Sequence, residues 1–128
     1  MRFMTLVKSA ERSGPPPREL MDAIAKLGAE ASKAGVLVES GGLLPSAQGA
    51  RVRLAQGKLN TTDGPFTEAK ELIGGYAVYD VKSKQEAIQW TERFMQIHKD
   101  HWPGWEGETE IRQIFSASDF APGSAAPA

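Results

Sequence analysis

Two rhythms of apolar residues alternate along the chain, one of strand type and one of helix type. Met1–Ser9 (MRFMTLVKS) is β-branched and aromatic with apolar side chains on both faces, which predicts an interior strand. Ser13-Gly14-Pro15-Pro16-Pro17 breaks it, because three prolines donate no ladder bonds. Leu20, Ile24, Leu27 and Ala31 then recur at helical spacing, and Met21 widens the stripe. With Pro17 at the first position, Glu19 near the positive end and Gly35 as a left-handed cap, the helix is expected over Pro17–Ala34. Val36–Ser40 predicts a second strand, bent by Gly41-Gly42. Ala50–Leu54 alternates cleanly, Gln56-Gly57 marks a hairpin tip, and Lys58–Thr62 is the returning arm. Arg51 and Arg53 share one face of that hairpin and Val52 the other, as expected of a half-exposed sheet edge.

Asp63-Gly64-Pro65 then turns the chain sharply, since Pro65 fixes one backbone dihedral and Gly64 frees another. Gly75–Val81 is apolar on both sides except at Asp80 and reads as an inner strand. Ser83 and Glu86 form a capping box ahead of a helix whose apolar face carries Ala87, Ile88, Trp90, Phe94, Met95 and Ile97. That helix is expected to run to about His101, where Pro103-Gly104 stops it. Glu108–Phe115 is the last strand.

The order β-α-β, hairpin, β-α-β predicts an α+β fold, a ferredoxin-like βαββαβ unit with an inserted β-hairpin. Residues 1–120 form one domain, and 121–128 a flexible, Pro-rich C-terminal tail that is not expected to pack. Two helices cover one face of the sheet. Because the strands are apolar on both faces, the other face needs a cover as well, and a second copy of the chain is the economical one. A homodimer packed sheet to sheet is therefore expected.

Composition narrows the function classes. Fifteen basic residues against sixteen acidic ones give a formal net charge of −1, so the general positive field that nucleic acid requires is missing. There is no cysteine, which removes disulfides and thiol chemistry. No apolar run approaches the roughly 20 residues that span a bilayer, and the N-terminus lacks a signal-peptide pattern, so a cytoplasmic location is expected with no membrane partner. The glycine pairs lack the spacing and the lysine of a phosphate loop, and there is no nucleophile elbow.

The candidate chemistry falls at two places. In the corner, Asp63 is either a residue that closes the turn on nearby backbone N–H groups, which ordinary turn chemistry favours, or a general base. Phe66, Glu68, Lys70 and Glu71 follow it as candidate substrate-binding residues, with Lys70 suited to an anionic group, or else as a solvated ion-pair cluster. At the end of the second helix, His98 and His101 stand three residues apart and are candidates for a shared proton-transfer site. Two histidines fall short of the three or four ligands of a firm metal site, so neither a metal nor a cofactor is expected. Trp102 and Trp105 lie in the loop beyond, where aromatics line a pocket or pack, and Arg112 either pairs with Glu108 and Glu110 or reaches a cleft.

The stretch D-G-P-F-T-E-A-K-E-L-I-G-G-Y (Asp63–Tyr76), preceded by A-G-V-L-V-E-S-G-G-L-L-P-S (Ala34–Ser46), resembles the DGPF-type proteins of the YCII-related family, over about Met1 to Phe120. The resemblance implies a dimeric α+β barrel built from ferredoxin-like subunits. Most such proteins have no assigned reaction, and two functional classes are weighed. One, drawn from the residues themselves, is a small-molecule-binding cleft with acid–base enzyme activity, in which Asp63, His98 and His101 are the candidate catalytic groups. The other is a non-catalytic regulatory module linked to extracytoplasmic-type sigma factors, some of which are encoded beside or fused to family members. More distant relatives use a His–Asp pair in a cleft. This chain has no histidine in its first helix and no Asp-Pro after its second, so that pair is not carried over.

Overall fold

The structure, a computed structural model, describes residues 1–11 and 15–120. Its elements are β1 (Arg2–Ser9), α1 (Arg18–Lys33), β2 (Leu37–Gly42), β3 (Ala50–Ala55), β4 (Lys58–Asp63), β5 (Leu72–Asp80), α2 (Lys84–His101) and β6 (Glu108–Gln113). Four strands form an antiparallel sheet in the order β2-β5-β1-β6, with the two long strands β5 and β1 in the middle. This is the α+β, ferredoxin-like arrangement expected from the order of elements. The part of the proline-rich break at Ser13 and Gly14, and the tail from Ala121, lie outside the described residues.

Register puts Phe3 opposite Tyr79 and Thr5 opposite both Ala77 and Ile111, on the face that the helices cover. There Phe3, Tyr79 and Val81 meet Ala31 of α1 and Ala87 of α2, with Leu37, Trp90 and Ile111 packed around them. Small alanines at both helix contacts let the helices sit close on the sheet. The opposite face carries Met4 and Leu6 of β1 beside Val78 and Tyr76 of β5, and neither α1 nor α2 packs on it.

The helix ends follow their local chemistry. Pro17 stands just outside α1, one residue earlier than the helix itself, and its carbonyl accepts from Met21 N–H. At the other end Gly35 takes a φ of +76°, Gly35 N–H bonds Ser32 O and Val36 N–H bonds Ala31 O, a Schellman termination. Ser83 caps α2 by accepting from Glu86 N–H at 3.1 Å. The Glu86 carboxylate in turn accepts from Lys82 N–H, one residue upstream of the expected partner.

The hairpin is not an edge of the main sheet. β3 and β4 form a separate two-stranded sheet, closed at Gln56 and Gly57 with φ of +52° and +76°, the signature of a type I′ turn. Neither arm has a substantial contact with any other element, so the apolar alternation seen in the sequence leaves Val52, Leu54 and Leu59 exposed. What holds the hairpin's base is a clasp centred on Ser46. The backbone N–H and hydroxyl of Ser46 donate to the Glu11 carboxylate at 2.5 and 2.6 Å, and its hydroxyl oxygen accepts from Phe66 N–H at 3.0 Å. Gly64 N–H bonds Gly49 O at 2.9 Å. The Gly64–Pro65 peptide is cis, and the backbones come so close that a Cβ on Gly64 would lie 1.6 Å from the Ser46 carbonyl oxygen.

Candidate functional site

A cavity of about 450 Å³ lies between the helix-covered face of the sheet and the two helices. Its floor is Thr5 and Val7 of β1 with Ala77 and Tyr79 of β5. Leu20, Ile24 and Leu27 of α1 make one wall, and Thr91, Phe94 and His98 of α2 another. Trp102 and Trp105 close the end beyond α2, while Leu43, Leu44 and Ile73 stand at the rim with 43–76% of their surface exposed. Hydrocarbon and aromatic rings dominate this lining.

The second helix enters the cavity along one stripe, Ala87, Thr91, Phe94, His98, at the spacing that keeps residues on one face. Two members of the stripe are polar and buried. Thr91 spends its hydroxyl on the Ala87 carbonyl at 2.8 Å, a bond within its own helix. His98 is 5% exposed, and its Nδ1 lies 2.9 Å from the Phe94 carbonyl oxygen. A carbonyl only accepts, so Nδ1 carries the proton, and in the neutral ring Nε2 is left with a lone pair. Nε2 has no hydrogen-bond partner among the described residues.

Aromatic rings fix the imidazole from two sides. The Phe94 ring is 4.6 Å from it and the Trp105 indole 4.5 Å, both tilted, and Trp102 stacks beyond Trp105 at 6.0 Å. The loop reaches this position because Trp102 N–H closes α2 on the His98 carbonyl and Trp105 N–H bonds Trp102 O. Gly107 leaves room for the indole, since a Cβ there would stand 2.4 Å from the ring. Burial lowers the His98 pKa below its usual 6.5, and the bond to Phe94 only partly opposes this. The ring is therefore neutral at neutral pH, an acceptor rather than a cation. Tyr79, stacked on Trp90, has its phenol pushed above the ordinary value by burial and stays protonated. Its hydroxyl also has no hydrogen-bond partner among the described residues. His98 and Tyr79 thus bring a neutral acceptor and a neutral donor to a mainly apolar cavity, which Ser40 and Tyr76 also line.

A model of the YCII-related domain matches residues 1–114. The chain belongs to the YCII-related family. None of the curated proteins matches it.

Of the residues expected to matter in this YCII-related chain, His98 and Trp102 line the cavity. The others lie elsewhere. His101 is exposed at the last position of α2, because the buried stripe passes from His98 to Trp102 and leaves His101 to one side. Asp63 is exposed at the end of β4, paired with Ala50, and its carboxylate has no bond to backbone N–H among the described residues. The turn-closing role expected of it belongs to Ser46 and Gly49 instead. Phe66 lies under the Arg51 guanidinium, 3.8 Å from its carbon, and Glu68 pairs with the same arginine. Arg51 draws both of them onto the hairpin. Lys70 and Glu71 are exposed and make no ion pair among the described residues. Arg112 pairs with Glu110 at 2.9 Å on the sheet face away from the helices. The structure therefore does not bring His98, His101 and Asp63 together, and among the described residues no three His, Asp or Glu side chains gather as a metal site would require.

Tyr79, Thr91 and Phe94 belong to the cavity without having been singled out as functional. The signal was present in the helical spacing of Ala87, Thr91, Phe94 and His98, which places the histidine on the buried stripe.

Proposed function

We propose that this YCII-related protein binds a small, mainly apolar molecule in the cavity, with His98 Nε2 accepting a hydrogen bond, or in acid–base chemistry a proton, from it. The observation that carries this reading is the buried imidazole whose Nδ1–H is committed to the Phe94 carbonyl while Nε2 has no partner. Among the described residues no buried side-chain nitrogen or oxygen lacks a partner, so Nε2 is an accessible lone pair on the cavity wall, where a ligand donor can take the place of water. The cavity volume falls within the range of small-molecule sites, and its many rings suit a flat ligand. Its depressed pKa makes His98 a weak base, able to take a proton from an acidic O–H, N–H or activated C–H and to return it. Asp63, His101 and the Phe66–Glu71 cluster take no part in this site.

The same reading makes the protein a homodimer. Its support is the second sheet face, where Met4, Leu6 and Tyr76 are only half-buried and no long helix lies over them. The observation on the side of an interaction module is the exposed apolar face of the hairpin.

The experiment is a screen of small phenols, amides and heteroaromatics by ¹⁵N–¹H spectra of the wild-type protein and of His98→Phe. The expected binders shift amides of β1, α1 and α2, and lose about 5- to 150-fold in affinity in the variant, the worth of one hydrogen bond of about 1–3 kcal/mol. Binders that hold equally well to His98→Phe remove His98 from the proposal. Shifts confined to the Asp63–Glu71 corner would move the site there.

A further inference from the structure

We infer that the β3–β4 hairpin is an interface arm whose apolar face is covered by a second copy of this chain. The two faces of the hairpin differ sharply. Val52, Leu54 and Leu59 share one, with Leu54 directly opposite Leu59 and Val52 opposite Thr61, while Arg51, Arg53, Lys58 and Asn60 share the other. Such alternation is what a strand pair shows when one face is buried. Here nothing in the described chain buries it: Val52, Leu54 and Leu59 are 68%, 69% and 74% exposed. An isolated two-stranded hairpin is marginal in water. This one has a full six-pair register, a left-handed two-residue turn and a braced base at Ser46, so it is built to hold a shape that its own body does not cover.

Area argues for a second copy as the cover, and this step rests on the homodimer reading above. Four strands at about 4.8 Å spacing and some 20 Å long give the open sheet face a footprint of roughly 400 Å². A stable interface needs about 800 Å² per partner, and the sheet face is already partly screened, with Val78 only 7% exposed. The sheet face supplies part of that area. The hairpin, two strands wide, adds about 200 Å². In a two-fold interface each protomer both gives its arm and receives its partner's, which brings the contact to about 800 Å² per protomer. The net charge of −1 sets up little repulsion between copies.

Sedimentation velocity on the full chain tests this, with Leu54→Glu/Leu59→Glu in the arm, Leu6→Glu on the sheet face, and amide exchange of the hairpin in parallel. The wild type is expected at twice 13.8 kDa with protected hairpin amides. The arm variant is expected to dissociate at least 100-fold more readily, with exposed hairpin amides and an unchanged circular dichroism spectrum. An arm variant that dimerises like the wild type, while Leu6→Glu dissociates, overturns the arm and keeps the dimer. A monomeric wild type overturns both, and so does protection of the hairpin amides in a monomer, yet either leaves the His98 ligand site standing.

Discussion

Replacing Gly64 by alanine is the sharpest test of how the DGPF corner is built. The new Cβ would sit 1.6 Å from the Ser46 carbonyl oxygen and 2.6 Å from its carbon, both backbone atoms that cannot swing aside as a side chain would. Ordinary contact begins near 3.4 Å, so the turn at Ser46–Gln48 must move by more than about 1.5 Å or Gly64 must leave its place. Either shift breaks the Gly64 N–H bond to Gly49 O and the Phe66 N–H bond to Ser46 Oγ. At about 1 kcal/mol for each bond, plus residual overpacking of similar size, the loss comes to about 2–3 kcal/mol. It should be local to the hairpin's base, because the core around Phe3, Tyr79 and Ala87 lies elsewhere. Urea unfolding supplies the total, and amide exchange of Gly64 and Phe66 locates it. A loss below about 0.5 kcal/mol, or exchange that quickens in the core before it does at Gly64 and Phe66, would mean that the Ser46 and Gly64 backbones do not brace the hairpin's base.

Two further outcomes follow from the helices around the cavity. Gly28, inside α1, has space for a methyl, with Leu37 Cδ2 the nearest atom at 3.9 Å. Gly28→Ala should therefore raise stability by about 0.5–1 kcal/mol in urea melts, through helix propensity and a less flexible unfolded chain; a loss of stability would show that the wall of the cavity is tighter than described. His98 has a folded-state pKa below its unfolded 6.5, so between those two values the unfolded chain binds more protons and stability falls as pH falls. The slope is at most about 1.4 kcal/mol per pH unit for one proton. His98→Phe should flatten the stability curve between pH 5 and 7, above the range in which Glu11, Glu30, Glu68 and Glu110, all held below the ordinary carboxylate value by their partners, take up protons. Parallel curves for the two proteins would mean that burial leaves the imidazole unperturbed.

Much of the fold was legible because local chemistry and global packing agree. The two helical stripes, the Ser83 cap, the Gly35 termination and the Gln56-Gly57 turn all lie where spacing and residue type place them. The hairpin was legible as a hairpin, yet its separation from the main sheet was not, since alternation reports two faces and says nothing of which strand lies beside them. The site was read less well, for a similar reason. Charge clusters such as Glu68-Ala69-Lys70-Glu71 draw attention in a sequence, but here they are solvated or bound by Arg51. The chemistry that the fold assembles comes from distant positions, Tyr79 on a strand and His98, Trp102 and Trp105 at a helix end, which only the tertiary packing brings together. Asp63 shows the same limit from the other side: its turn is real, but the bonds that close it come from Ser46 and Gly49 across the hairpin's base.

The ligand site depends on His98 being a neutral acceptor with its proton on Nδ1. Imidazole ¹⁵N spectra of His101→Gln test it most directly, since this variant leaves one histidine in the chain and the signal needs no assignment. The expected spectrum is that of a neutral ring with Nδ1 protonated and Nε2 bare at pH 7, converting to the imidazolium with a midpoint below 6.5. A ring that is charged at pH 7, or one protonated on Nε2 instead, would contradict it.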